Sequence, residues 1–248
     1  MRNLFKIDIF TYLLLILSFF AGYFREMIIV YLILFVHEFG HFFLMKYYNI
    51  KVNNIVMYPY GGMIKSNMLI NTNSIRALLI SLGGIISQVI LWIIVYILYK
   101  INLVSVFYYD IFYQYNISII LFNLLPIIPL DGFKILNSII EMFISFKYSI
   151  IVSLIISFVS LILFFCYLYF YSVSNYVIVI FMLFSLIKYI RETKYIINKF
   201  YIERVIYDIK YDGLKSVYCV DNIYKNKFNY INGVEEKSYL KNKFGIYR

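Results

Sequence analysis

The only two histidines of the 248-residue chain stand four positions apart, in His37-Glu38-Phe39-Gly40-His41. On a helix, residues i and i+4 lie about 40° apart around the axis, so both imidazoles face the same way. Two imidazole nitrogens offered together form half of a Zn²⁺ ligand set. Glu38, next to the first histidine, would stand near enough to hold a water beside the ion and relay its proton. Bound Zn²⁺ lowers the pKa of that water to about 7. The His-Glu-x-x-His spacing therefore predicts metal-assisted hydrolysis.

A catalytic zinc site takes three protein ligands and leaves the fourth position open. The run from Asn123 to Gly132 (Asn-Leu-Leu-Pro-Ile-Ile-Pro-Leu-Asp-Gly) offers the third. Asp131 is the only acid between Asp110 and Glu141, which makes it the natural partner of His37 and His41. Pro126, Pro129 and Gly132 break a helix at this point. Broken helices at membrane depth are tolerated where they line a cavity or pack in protein. The plainer role for Asp131 is to cap a helix over residues 132–146. For Asn123, a hydrogen bond to substrate and packing within the broken helix both stay open.

The elements that must position these residues are membrane helices. The chain is 63% hydrophobic, with a mean hydropathy of +0.80, too apolar for a soluble domain. The histidine pair lies inside an apolar run from Met27 to Met45, and ionisable residues at such depth mark function because each is costly to insert. Six spans are predicted: Leu4 to Tyr23, Met27 to Tyr48, Ser74 to Tyr99, Tyr109 to Leu125, Tyr148 to Tyr171 and Asn175 to Tyr189. The first is kept as a true span because no small-residue cleavage pattern follows it.

The formal net charge is +10, and the basic residues gather between apolar runs and in the tail. They read as topology signals and contacts with the lipid bilayer, not as a nucleic-acid surface. Arg2, Lys6, Lys46, Lys51, Lys65, Arg76, Lys134 and Lys147 put one set of connections in the cytoplasm. Arg25 and Lys100 lie on the other side, with the uncharged connection Ser172 to Ser174. Both termini are then cytoplasmic, and the histidine pair draws water from that side. The two cysteines, Cys166 and Cys219, make neither a disulfide framework nor a metal cluster.

Between spans two and three, residues 51–65 carry Tyr58-Pro59-Tyr60-Gly61-Gly62 and read as a β-hairpin or re-entrant loop. Its backbone must pack on protein near the site, and its edge would suit an extended substrate strand. Leu82-Gly83-Gly84 and Ser87-Gln88 in span three favour close helix packing over direct contact with substrate. Spans five and six read as scaffold or partner-binding surface. Residues 191–248 form a basic cytoplasmic tail. Arg191 to Tyr207 suits a helix leaving the membrane, and Asp212-Gly213 and Asn232-Gly233 suit turns of a small β-rich appendage; a partly ordered tail fits equally.

His37-Glu38-Phe39-Gly40-His41, followed by Phe122-Asn123-Leu124-Leu125-Pro126 and Pro129-Leu130-Asp131-Gly132, resembles the site-2 protease family of intramembrane zinc metalloproteases. The likeness runs from about Leu4 to Tyr189 and is nearest to the sporulation branch. Phe133 and Lys134 depart from the Gly and Arg that often continue the aspartate motif. The resemblance implies an all-α polytopic membrane protein with a six-helix core. It implies zinc on His37, His41 and Asp131, with Glu38 as general base, and a membrane-associated protein substrate. For the sporulation branch it implies removal of the pro-sequence of a sporulation sigma factor, under the restraint of inhibitory membrane partners. An anti-sigma factor or signal-peptide remnant is the alternative substrate. A non-catalytic metal-binding membrane protein is the alternative of another class.

Overall fold

The computed structural model describes residues 5–58, 61–169 and 176–245. Arg2, Leu4, Pro59, Tyr60, Tyr171, Ser172 to Ser174 and Asn175 lie outside the described residues. The chain forms two compact units, one of residues 1–68 and 79–123, the other of residues 69–78 and 124–248.

In the first unit, the apolar N-terminal stretch is not one long helix. Strand β1 (Phe5–Ile7) is followed by helix α1 (Ile9–Phe20). Asp8 separates them: its carboxylate accepts a hydrogen bond from Phe10 N at 3.1 Å and caps the helix. Twelve residues rise about 18 Å, short of the roughly 30 Å hydrocarbon layer. An apolar strand and an apolar helix have the same hydropathy, so the sequence reads as a single span.

Helix α2 (Phe24–Tyr47) carries the histidines. Asn49 ends it in the left-handed region, φ 56°. Ile50 N donates to Met45 O at 2.8 Å and Asn49 N to Lys46 O at 3.0 Å, which satisfies the last carbonyls. Strands β2 (Val52–Tyr58) and β3 (Gly61–Ser66) pair antiparallel, with Tyr58 opposite Gly61. Strand β1 runs parallel to β2, Phe5 opposite Ile55, so β1-β2-β3 is a three-stranded sheet.

Helix α3 (Ser74–Lys100) crosses α2 closely. A Cβ on Gly83 would lie 2.8 Å from Gly40 O, and Ser87 Oγ donates to Val36 O at 2.9 Å. Small residues and a hydroxyl thus let the two backbones touch. Helix α4 (Val106–Leu124) completes this unit, and it carries Asp110, Gln114, Asn116 and Asn123. Among the described residues, three helices are long and apolar enough to cross a membrane: α2, α3 and residues Phe146–Cys166.

In the second unit, α5 (Asp131–Phe143) is followed by α6 (Phe146–Tyr169) and α7 (Tyr176–Ile206). Helix α7 continues without interruption past Tyr189, where the composition turns polar. The change of composition does not end the helix. The tail is folded: β4 (Leu214–Val217), β5 (Phe228–Ile231) and β6 (Val234–Glu235) form a second sheet in that order, and α8 (Glu236–Phe244) follows. The fold is mostly helical, with two small sheets, and not purely α. Asn232 and Gly233, at φ 49° and 83°, make the tight turn between β5 and β6.

The core of this unit joins Phe146 and Ile150 of α6, Phe200 and Tyr201 of α7, and Ile223, Ile231 and Leu240. Arg204, fully buried, ties it together. It pairs with Glu236 at 2.9 Å and donates to Lys225 O at 3.0 Å, Lys227 O at 2.6 Å and Asn71 Oδ1 at 3.2 Å. A buried cation held by a fork of acceptors is the arrangement arginine suits best. Lys225 reaches Glu141 of α5 at 2.7 Å, both side chains buried.

Candidate active site

Helix α2 presents His37 and His41 on its protein-facing side, 3% and 7% exposed. His41 Nδ1 lies 2.7 Å from the carbonyl oxygen of Ile80. A carbonyl only accepts, so Nδ1 carries the proton and Nε2 carries a lone pair. His37 Nδ1 lies 2.9 Å from Gln88 Oε1 and is set the same way. The two Nε2 atoms are 3.1 Å apart. Zinc, when bound, would be held by these two nitrogens.

Room for those rings comes from Gly84 on α3. A Cβ there would lie 2.5 Å from His37 Cε1 and 2.6 Å from both Nε2 atoms. Glu38, half-buried, packs against Gly62 of β3. A Cβ on Gly62 would lie 2.5 Å from Glu38 Cδ and 2.8 Å from its Oε1, so glycine backbone is all that fits beside the carboxylate.

Asp131 opens α5 as its first residue, with Leu130 as the cap, and is 5% exposed. The chain before it is held by Ile127 N to Leu125 O and Leu130 N to Ile127 O, both 2.8 Å, and by Ile128 N to Ser157 Oγ at 3.1 Å. Gly132 lies directly against the carbonyls of Leu124 and Leu125, where a side chain has no space. Lys134, one turn on, donates to Asp131 Oδ1 at 2.8 Å. His37, His41 and Asp131 are all buried. Two neutral imidazoles and a carboxylate are a donor set that fits zinc.

Asn123 Nδ2 donates to Ile119 O at 3.0 Å, inside its own helix, which is the packing role. Sequence reasoning placed Gly83, Gly84, Ser87 and Gln88 in helix packing. Gly83 and Ser87 do this, whereas Gly84 and Gln88 abut the imidazoles. The available signal was an amide in the interior of an otherwise apolar helix. Gly62 and the Ile80 carbonyl gave none, since both act through backbone.

The sequence profile of Peptidase family M50 matches residues 26–109 and 99–168, more than half of the chain. The chain belongs to Peptidase family M50. Among curated relatives, this M50 chain is 26% identical over 198 residues to stage IV sporulation protein FB of Bacillus subtilis (strain 168), covering 79% of this chain and 69% of that protein. It is 27% identical over 120 residues to a zinc metalloprotease of Methanocaldococcus jannaschii, 46% of this chain and 34% of that protein. The chain therefore spans about a third of that archaeal relative. The solved structure of the site-2 protease from Methanocaldococcus jannaschii superposes with a TM-score of 0.55 at 20% identity, over 73% of this chain and 86% of that one. The M50 chain thus shares the site-2 protease fold and is a membrane metalloprotease by family.

Proposed function

We propose that this chain is an intramembrane zinc endopeptidase, with zinc held by His37, His41 and Asp131 and Glu38 as its general base. The observation that carries the reading is the pair of Nε2 atoms 3.1 Å apart, each aimed by an acceptor at Nδ1. Bound zinc supplies Lewis acidity, polarising the scissile carbonyl and acidifying water. Glu38 takes a proton from the attacking water and returns it to the leaving amine. Its position against Gly62 puts β3 beside the reacting centre, where an extended substrate strand would pair with the sheet edge. The substrate helix must unwind first, because a helical carbonyl is already engaged in its own ladder.

The substrate is a membrane-associated regulatory protein. The relative named as a sporulation protein favours a sporulation sigma-factor pro-sequence over an anti-sigma factor or signal-peptide remnant, with membrane partners restraining the enzyme. Helices α1, α4 and α7 join α2, α3 and α6 as the membrane part. The positive connections set both termini in the cytoplasm, and water reaches the site from that side. A non-catalytic metal-binding role is the weaker reading, because no ligand or base is missing. Co-expression with a candidate pro-protein tests the proposal. Wild type cleaves it, and Glu38→Gln keeps its zinc but does not. A Glu38→Gln enzyme with full activity refutes the role of Glu38.

A further inference from the structure

Gln88 is completely buried in α3, and Asn116 of α4 is 1% exposed. Gln88 Oε1 faces His37 Nδ1 at 2.9 Å. The other end of the same amide, Nε2, donates to Asn116 Oδ1 at 3.4 Å, and Asn116 Nδ2 reaches back to the Gln88 carbonyl at 3.5 Å. An isolated glutamine can turn its amide over, offering either oxygen or nitrogen to the imidazole. Asn116 removes that freedom. Its Oδ1 accepts only from the nitrogen, so the oxygen must face His37. The ring then carries its proton on Nδ1 and directs the lone pair of Nε2 towards His41.

We infer that Gln88 and Asn116 form a neutral positioning relay, running from α4 through α3, that selects the metal-binding tautomer of His37. The relay rests on the zinc reading above and assigns it two further positioning residues. Neither touches the substrate or the ion. His41 is aimed differently, by the Ile80 carbonyl, an acceptor that no side-chain change removes. The two ligands therefore differ: the aim of His41 is fixed by backbone and that of His37 by two amides. The choice of amide over carboxylate follows from burial. A carboxylate would orient the ring as well, but an additional charge among apolar helices is costly. An amide supplies the same acceptor without it.

Zinc affinity by chelator competition on the full chain in detergent tests this, beside thermal unfolding. Wild type must first bind one zinc; a wild type that binds none overturns the zinc reading and the relay with it. Gln88→Met keeps volume and loses the acceptor, and should bind zinc about 10–100-fold more weakly. Gln88→Glu keeps an acceptor oxygen whether or not it is protonated, and should stay within about threefold of wild type. Asn116→Leu frees the amide to turn, and should weaken zinc less than Gln88→Met does. Should Gln88→Met fail to fold, the Gln88→Glu and Asn116→Leu variants carry the decision. Wild-type affinity in Gln88→Met or in Asn116→Leu overturns the relay while leaving the zinc site intact. So does a tenfold loss in Gln88→Glu, which would mean that size and polarity at this position, not the acceptor, matter.

Discussion

Replacing Gly84 by alanine places one methyl group where the two imidazoles meet. The added carbon would lie 2.5 Å from His37 Cε1 and 2.6 Å from each Nε2. Ordinary carbon contacts begin at about 3.5 Å, so the rings must retreat by about 1 Å. Zinc–nitrogen bonds tolerate about 0.2 Å, and a retreat of that size removes at least one ligand. We expect zinc affinity to fall at least about 100-fold, or about 2.8 kcal/mol at 1.4 kcal/mol per tenfold. Overpacking should cost a further 1–3 kcal/mol or so of folding stability. Chelator competition on detergent-purified protein reads the first effect and thermal unfolding the second. Gly22→Ala is the control. No atom lies within 4 Å of its Cβ position, but its φ of 81° strains alanine by about 1–2 kcal/mol. It should lower stability and leave zinc untouched. A Gly84→Ala protein that binds zinc within about threefold of wild type would refute the assignment of the space between the rings to an ion.

Other changes separate the metal, the base and the tail. Gly62→Ala should displace the Glu38 carboxylate, which its Cβ would meet at 2.5 Å from Cδ. Turnover should fall by about 100-fold with zinc content unchanged, as expected for a misplacement of about 1 Å; unchanged turnover contradicts the packing of Glu38 on β3. Lys225→Met leaves Glu141 buried without its cation. Ser74 Oγ and Asn137 Nδ2 still donate to it, so the cost should fall near the low end of about 3–5 kcal/mol. Urea unfolding and limited proteolysis of the tail read this loss, and Glu141→Gln in the same chain should recover part of it.

The candidate site could be picked out because it is written in residue types that a membrane helix otherwise avoids. His37, Glu38 and His41 on α2, and Asp131 after two prolines, stand out against an apolar background. The break at residues 125–130 was legible for the same reason, since proline and glycine carry their geometry with them. The N-terminal stretch was not. β1 is defined by its pairing with Ile55 to Met57, some fifty residues away, and hydropathy holds no record of a partner. The helix expected from Arg191 to Tyr207 is there, and it is continuous with the apolar helix before it, since backbone hydrogen bonding runs through Tyr189 to Ile206. In sequence Arg204 is one more basic residue of a basic tail. Its burial depends on Glu236, Asn71 and two carbonyls that only the fold assembles. Gly62 and Gly84 illustrate a subtler limit. What they contribute is the absence of a side chain at one point in space, and the sequence does not say which point.

In the proposed enzyme, His37, His41 and Asp131 together hold one zinc ion. Metal analysis of the purified full chain tests this most directly, comparing wild type with Asp131→Ala after identical zinc exposure and removal of loose metal. About one zinc per chain is expected in wild type and little or none in the variant, with both proteins folded. A wild type without zinc, or an Asp131→Ala protein that retains it with undiminished affinity, would contradict this.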